Sequence, residues 1–188
     1  MGSRANALYE QGGEHVLEGL RLFDGAWPHL QAAYGRMRER GDRAAAQWTS
    51  EFPGRVVYVL DLRLPSREQI PILEAAVSAA REIGDRHGEG AHLGNLGLAY
   101  ADLGEVRRAI EYYEQALAIS REIGHRNLEG NTLANLGVLA KGQGDLARAR
   151  ALWEQVLHIF EAIEDPRAER VRVLLAALEE GDTGAGTG

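Results

Sequence analysis

Cysteine is absent from this 188-residue chain. No disulfide framework, thiolate metal site or cysteine nucleophile is therefore available. Also missing is any apolar run near the ~20 residues that a membrane-spanning helix needs. The amino terminus has no signal-peptide pattern. Met1-Gly-Ser reads as a tag-like addition, and residues 1–5 are expected to be disordered. Lysine is nearly missing too: Lys141 stands alone, so almost all the positive charge is arginine. At a net charge of −7 the chain lacks the basic field that nucleic-acid binders usually carry. A soluble cytoplasmic protein is the resulting expectation. What the chain does have is 45% hydrophobic residues, enough at this length to bury a real core.

Residues 81–120 recur as residues 121–160. Arg81-Glu-Ile-Gly84-Asp-Arg86-His-Gly-Glu89-Gly90 returns as Arg121-Glu-Ile-Gly124-His-Arg126-Asn-Leu-Glu129-Gly130, and Leu93, Asn95, Leu96 and Gly97 return as Leu133, Asn135, Leu136 and Gly137. Aligned without a gap, 18 of 40 positions are identical. A fixed period of this size means one supersecondary unit stacked on copies of itself. Each unit reads as two helices. From Gly88 to Leu103, apolar residues at Leu93, Leu96, Leu98, Ala99 and Tyr100 have helical spacing, and Gly104 stops them. A second helix from Glu105 carries Val106, Ala109, Ile110, Tyr113, Ala116, Leu117 and Ile119, and ends near Gly124. The next copy predicts a helix from about Asn127 with a stop at Gly144, then one from Asp145, a suitable N-cap, to about Ile163.

Leu93-x-x-Leu96-Gly97-x-x-Tyr100 followed by Ala109-x-x-x-Tyr113 resembles the tetratricopeptide repeat, with Leu93 in place of the usual tryptophan. The second copy reads Leu133-x-x-Leu136-Gly137-x-x-Ala140, then Ala149-x-x-x-Trp153. The small residues serve a physical purpose. Gly97 and Ala109 fall where paired helices cross, and larger side chains would push the backbones apart. This sequence departs from the family at Ala140, which replaces a bulky tyrosine, and in lacking the closing proline. Its period of 40 exceeds the usual ~34. That length resembles the long-repeat branch of peptide receptors, kinesin light chains and bacterial signalling ATPases. The resemblance implies an all-α, right-handed superhelical solenoid of helical hairpins, about four in number with a terminal half-unit.

Upstream, Arg38-Glu-Arg-Gly41-Asp42-Arg43 echoes Arg81-Glu-Ile-Gly84-Asp85-Arg86. Trp27 to Glu39 then reads as the second helix of an earlier unit, and residues 6–22 as a further helix despite Gly12-Gly13. Helix resumes near Ala44, and Pro53-Gly54 predicts a kink or break within it, since an interior proline costs a helix ~3 kcal/mol. Val56-Val-Tyr-Val-Leu60 has strand propensity as well. Ser66 is expected to cap a helix from Arg67 to Ile83. Downstream, Asp165-Pro166 opens a last helix to about Glu180. The domain reading is thus an irregular region at 6–66, regular repeats at 67–180 and a disordered tail at 181–188.

Catalytic motifs are not found. Gly-x-x-x-x-Gly-Lys-Ser/Thr is missing, and Lys141-Gly-Gln-Gly144 is a helix-ending turn. Histidines 15, 29, 87, 92, 125 and 158 are scattered, and no acidic or histidine cluster completes a metal shell. No serine has a local histidine base. No enzyme activity, metal or cofactor is expected. Arg107, Arg108, Arg148 and Arg150 form a stripe or are simply solvated helix faces with acid partners.

In stacked repeats the first helix of each pair lines the inner surface. The inward stripe is expected at Ala91, Asn95, Leu98 and Asp102, then Asn131, Asn135, Val138 and Lys141, and one unit earlier at Trp48, Phe52, Arg55 and Tyr58 or Val59. In similar peptide-binding repeats, asparagines placed like Asn95 and Asn135 grip the ligand's main chain, as an amide offers donor and acceptor together. The other reading is an internal ladder of hydrogen bonds. Trp48 and Phe52 are either core or ligand platform. On the last helix, Val171, Val173, Leu174, Leu175 and Leu178 spread around the circumference, which suggests either self-association through Val171, Leu174, Leu175 and Leu178 as a homodimer or the interior helix of a longer array. The whole chain resembles the sensor region of bacterial STAND (NB-ARC) signalling ATPases, through Leu17 to Trp27 and Tyr58 to Ile72. That implies a non-catalytic module binding a protein or peptide. A scaffold without sensing is the alternative, and single-stranded RNA a third reading that needs arginines in the groove.

Overall fold

A computed structural model describes residues 14–185 as eight α-helices joined by short turns. They are α1 (Glu14–Arg40), α2 (Arg43–Arg63), α3 (Ser66–Ile83), α4 (Arg86–Asp102), α5 (Val106–Glu122), α6 (Arg126–Gly142), α7 (Leu146–Ala162) and α8 (Arg167–Ala185). Helices α2/α3, α4/α5 and α6/α7 form three stacked hairpins, with α1 before them and α8 behind. The chain is an all-α solenoid. Residues 1–5, and the part of the 6–22 helix before residue 14, lie outside the described residues.

The turns repeat with the sequence. Gly84, Gly104, Gly124 and Gly144 take φ of 77°, 74°, 68° and 81°, a left-handed conformation that glycine adopts without a Cβ penalty. Each lets the next N–H reach back to close the helix, as in Glu105 N–H to Tyr100 O (2.9 Å) and Asp145 N–H to Ala140 O (3.0 Å). At three of these turns the side chain of the following residue then caps the next helix, whereas Glu105 makes no such bond. Asp85 accepts from the Gly88 N–H at 2.8 Å, Asp145 from the Arg148 N–H at 3.0 Å, and His125 Nδ1 from the Leu128 N–H at 3.1 Å. Asp165 takes up the Arg167 N–H at 2.9 Å.

Packing between paired helices uses glycine as a socket for an aromatic ring. A Cβ on Gly97 would stand 2.6 Å from the Tyr113 ring, and one on Gly137 would stand 2.3 Å from Trp153 Nε1. Tyr113 and Trp153 are each 1% exposed, and Ala109 and Ala149 are fully buried beside them. Gly130 admits Phe160 in the same way, with a Cβ there only 2.4 Å from the ring.

The amino-terminal part differs from the expectation. One helix of 27 residues spans Glu14–Arg40, with no turn near residue 22. Gly25 has no left-handed φ, and Phe23 and Trp27 stack one turn apart with ring centroids at 5.0 Å, so the hydrophobic face carries through. α2 likewise passes Pro53 without a break, and the strand-prone stretch 56–60 is helical. Val56, Leu60 and Leu64 recur every fourth residue and are buried on one face; that packing outweighs propensity. α3 begins at Ser66, with Pro65 in the N-cap position and no side-chain cap. The α2/α3 hairpin crosses residue 66, where the irregular and regular regions were expected to meet. α8 runs to Ala185, past the expected end at Glu180, because extending a formed helix costs far less than starting one. The remainder of the expected tail, 186–188, is outside the described residues.

His92 is buried at the foot of α4, with its ring held by the Ser50 backbone and its Nδ1 unpartnered. Burial pushes its pKa below the ordinary 6.5; Asp85 opposes that shift and His87 adds to it. The unfolded chain therefore takes up this proton first as pH falls. The contribution of His92 is fully present above pH 6.5 and is lost as pH drops from there through the lower folded value. Melting temperature measured from about pH 8 down to pH 5 is expected to fall less steeply in His92→Leu than in the parent chain.

Candidate functional site

The first helices of the hairpins, α4 and α6, together with α8 and with Trp153 and Phe160 of α7, enclose a groove of about 620 Å³. Its surface includes Asn95, Leu98, Asn135, Val138, Arg170 and Leu174. A second hollow of about 440 Å³ adjoins it, walled by Pro53 and Leu60 of α2, Ser66 and Gln69 of α3, and Asp102 of α4. Asn95 and Leu98 line both, so the two hollows form one continuous wall. Leu98 and Val138 stand one repeat apart and are 44% and 57% exposed. Asn95 and Asn135, likewise one repeat apart, are half-buried. Their carboxamides make no hydrogen bond to another side chain or to helix backbone among the described residues. The internal ladder is thus not formed there, and each amide presents a donor and an acceptor beside an exposed apolar side chain.

Other predicted stripe residues sit elsewhere. Asn131 lines the groove but is engaged: its Nδ2 donates to Asn127 Oδ1 (3.3 Å), and its Oδ1 accepts from Arg167 Nη1 (2.5 Å). Arg167 in turn lies over Phe160, 4.5 Å from the ring centroid, and pairs with Asp165 at 2.6 Å. The guanidinium hydrogen bond lowers the pKa of the Asp165 carboxyl to about 2. This set ties α8 to α6. Asp102 accepts from Ser66 Oγ at 3.1 Å. Lys141 is outside both hollows, its Nζ 5.9 Å from the Trp153 ring centroid.

On α2 the expected stripe is rotated away. Phe52 is 4% exposed and packs with Trp48 (5.1 Å) and with Tyr34 of α1 (5.1 Å), so these aromatic residues belong to the amino-terminal core. Arg55 is exposed and paired with Glu51 at 2.6 Å, away from the groove. The cause is α1, which needs an aromatic face to bury its own. Pro53 and Leu60 supply the α2 share of the wall instead. The side chains of Tyr58 and Val59 are outside the described set.

Residues 70–122 and 89–162 match the tetratricopeptide repeat family. The α4/α5 and α6/α7 hairpins within that span are tetratricopeptide repeats. No curated protein matches the chain. Among solved structures it is similar to BtubC (BKLC) from P. vanneervenii, with a TM-score of 0.58 and 17% identity over 97% of this chain and 88% of that one. At that identity the likeness is one of fold. Tetratricopeptide repeats generally mediate contacts between proteins, which suits a non-catalytic binding module. Among the described residues no helix is long and apolar enough to cross a membrane, and no three potential metal ligands come together.

The repeats also contain an ion-pair clamp that sequence reasoning missed. Glu89, 4% exposed, accepts from Arg81 Nε at 2.7 Å and from Arg86 Nη1. Forty residues on, Glu129 accepts from Arg121 Nε at 2.9 Å and from Arg126 Nη1 at 2.5 Å. The two arginines come from the end of one hairpin and the start of the next, so each carboxylate joins neighbouring repeats. Arg86 also pairs with Glu122 on α5. The signal was present: Arg81, Arg86 and Glu89 are among the identities between the two copies. Position 169 breaks the pattern, since Glu169 is exposed and pairs with Arg172.

On the last helix, Val171 and Leu178 are each 5% exposed and packed in the core against α7. They are not offered to a second chain, contrary to the expected self-association stripe. Leu174 and Leu175 are partly buried against the same core, and the exposed member is Val173. Of the arginine stripe, Arg107 and Arg108 lie on α5, and Arg148 and Arg150 on α7; none lines the groove. Arg108 pairs with Glu105 and lies 4.0 Å over the Tyr100 ring.

Proposed function

We propose that the wall formed by α2, α4, α6 and α8 holds an extended peptide segment of a partner protein. The observation that carries this reading is the pairing of unengaged amides, Asn95 and Asn135, with exposed apolar neighbours, Leu98 and Val138, at one-repeat intervals in a continuous groove. A main chain offers N–H and C=O groups to the amides, and its side chains cover the apolar sites. Random peptides displayed on phage and selected against the whole chain supply the ligand. Asn95→Ala with Asn135→Ala is expected to weaken a selected peptide about thirtyfold, at roughly 1 kcal/mol for each amide removed, with unchanged far-ultraviolet circular dichroism. Undiminished binding would remove the amides from the site, and unfolding of the double variant would make them structural.

The wider role we propose is cytoplasmic ligand sensing within a larger bacterial signalling ATPase. Support comes from the resemblance of Leu17 to Trp27 and Tyr58 to Ile72 to the opening of such sensor arrays. The native coding sequence tests it: a phosphate-binding loop upstream supports the assignment, and a gene without one removes it. The RNA reading needs the Arg107, Arg108, Arg148 and Arg150 stripe in the groove, and those four residues lie on α5 and α7 outside it.

A further inference from the structure

A third hollow opens between α1, α2 and α3 and meets the inner wall only at Leu64. It measures about 480 Å³ and is lined by Trp27, Tyr34 and Arg38 of α1, Phe52 of α2, and Arg67 and Ile72 of α3 among others. That volume falls within the ~300–1,000 Å³ of small-molecule sites. Its floor is aromatic and already packed: Tyr34 and Phe52 are buried, their ring centroids 5.1 Å apart, with Trp48 stacked behind Phe52. The Tyr34 hydroxyl donates to Ile72 O at 2.7 Å and bridges α1 to α3. Burial raises the pKa of this phenol, so it stays neutral and puts no negative charge in the cleft.

The mouth has the opposite character. Arg38 and Arg67 are exposed on facing helices and have no hydrogen-bond or ion-pair partner among the described residues. Glu68 is the acid on the lining, so the two guanidinium groups leave the rim net positive. An aromatic floor under two unpaired arginines matches an aromatic body with a carboxylate at its edge, since guanidinium binds carboxylate in a two-pronged fork and stacks on rings. In a chain of net charge −7, such a rim is not explained by general surface charge.

We propose that this cleft binds a small aromatic carboxylate, as a site separate from the peptide wall. Isothermal titration of the whole chain with naphthoate, and with naphthylmethanol as its uncharged counterpart, tests the assignment. The expected result is saturation at one site per chain by naphthoate, with the alcohol about tenfold weaker. Arg38→Gln with Arg67→Gln should bring the acid down to the alcohol's affinity and leave the fold intact, since both side chains are exposed. Asn95→Ala with Asn135→Ala, which should weaken the peptide, should leave the naphthoate affinity where it was. Equal binding of acid and alcohol, or no saturable binding, would overturn the proposal. So would sensitivity to the asparagine variant, which puts the ligand on the inner wall, or loss of binding as protein concentration rises, which puts a second copy over the cleft.

Discussion

Trp153→Ala should destabilise the chain by ~3–5 kcal/mol, the range for removing a fully buried large aromatic side chain. The ring is enclosed between α6 and α7, its Nε1 donates to Ala134 O at 3.3 Å, and Gly137 is the socket that admits it. A domain this size has ~5–15 kcal/mol of stability in total, so the variant should melt far earlier in urea or heat. The reciprocal change is more diagnostic. Gly137→Ala adds a methyl group 2.3 Å from the indole nitrogen and should cost ~1–3 kcal/mol by overpacking. Alanine is otherwise the better helix former, by roughly 1 kcal/mol. In the Trp153→Ala background the clash is gone, so Gly137→Ala should become neutral or stabilising. A double-mutant cycle by urea denaturation reads this change of sign. Additive losses would mean that the glycine and the ring do not share one contact.

Glu129→Ala should cost about 2 kcal/mol, the scale of charge-assisted hydrogen bonds lost from a buried acceptor. The full penalty for breaking a buried ion pair is larger, but Arg121 and Arg126 are 51% and 45% exposed and can turn to solvent once released. Because the clamp joins the α4/α5 hairpin to the α6/α7 hairpin, its loss should do more than lower the melting point. Hydrogen exchange is expected to show α6 to α8 opening separately from the repeats before them, as stacked repeats do when an interface weakens. Glu129→Gln, which keeps one oxygen for Arg121 or Arg126, should lose less. Equal protection of all hairpins in Glu129→Ala would place the carboxylate outside the coupling between repeats.

How much could be read from the chain depended on whether a residue's neighbours were also repeated. α4 to α7 follow from the forty-residue identity, and Gly97 and Gly137 as crossing points follow from needing no side chain there. The paired positions of Asn95 and Asn135 follow from the same period. Where a unit faces something unlike itself, local pattern misleads. Trp48 and Phe52 occupy inward register by alignment, yet α1 supplies Tyr34 as a partner, and burial against it turns them into core. Residues 6–22 and Trp27 to Glu39 read as two helices, but the Phe23 and Trp27 faces run on without a break between them. Val171 and Leu178 read as a bare surface because nothing in their own helix shows that α7 covers them. The glutamate clamps were visible as identities, but their meaning needs three residues from two hairpins brought together.

Amide chemical-shift mapping with a phage-selected peptide shows whether the groove between α4, α6 and α8 receives a partner. Perturbations are expected to centre on Asn95, Leu98, Asn135 and Val138, with α5 quiet and α7 affected only near Trp153 and Phe160, which line the groove. Perturbations centred on α5 and α7, with those four residues unmoved, would contradict binding there.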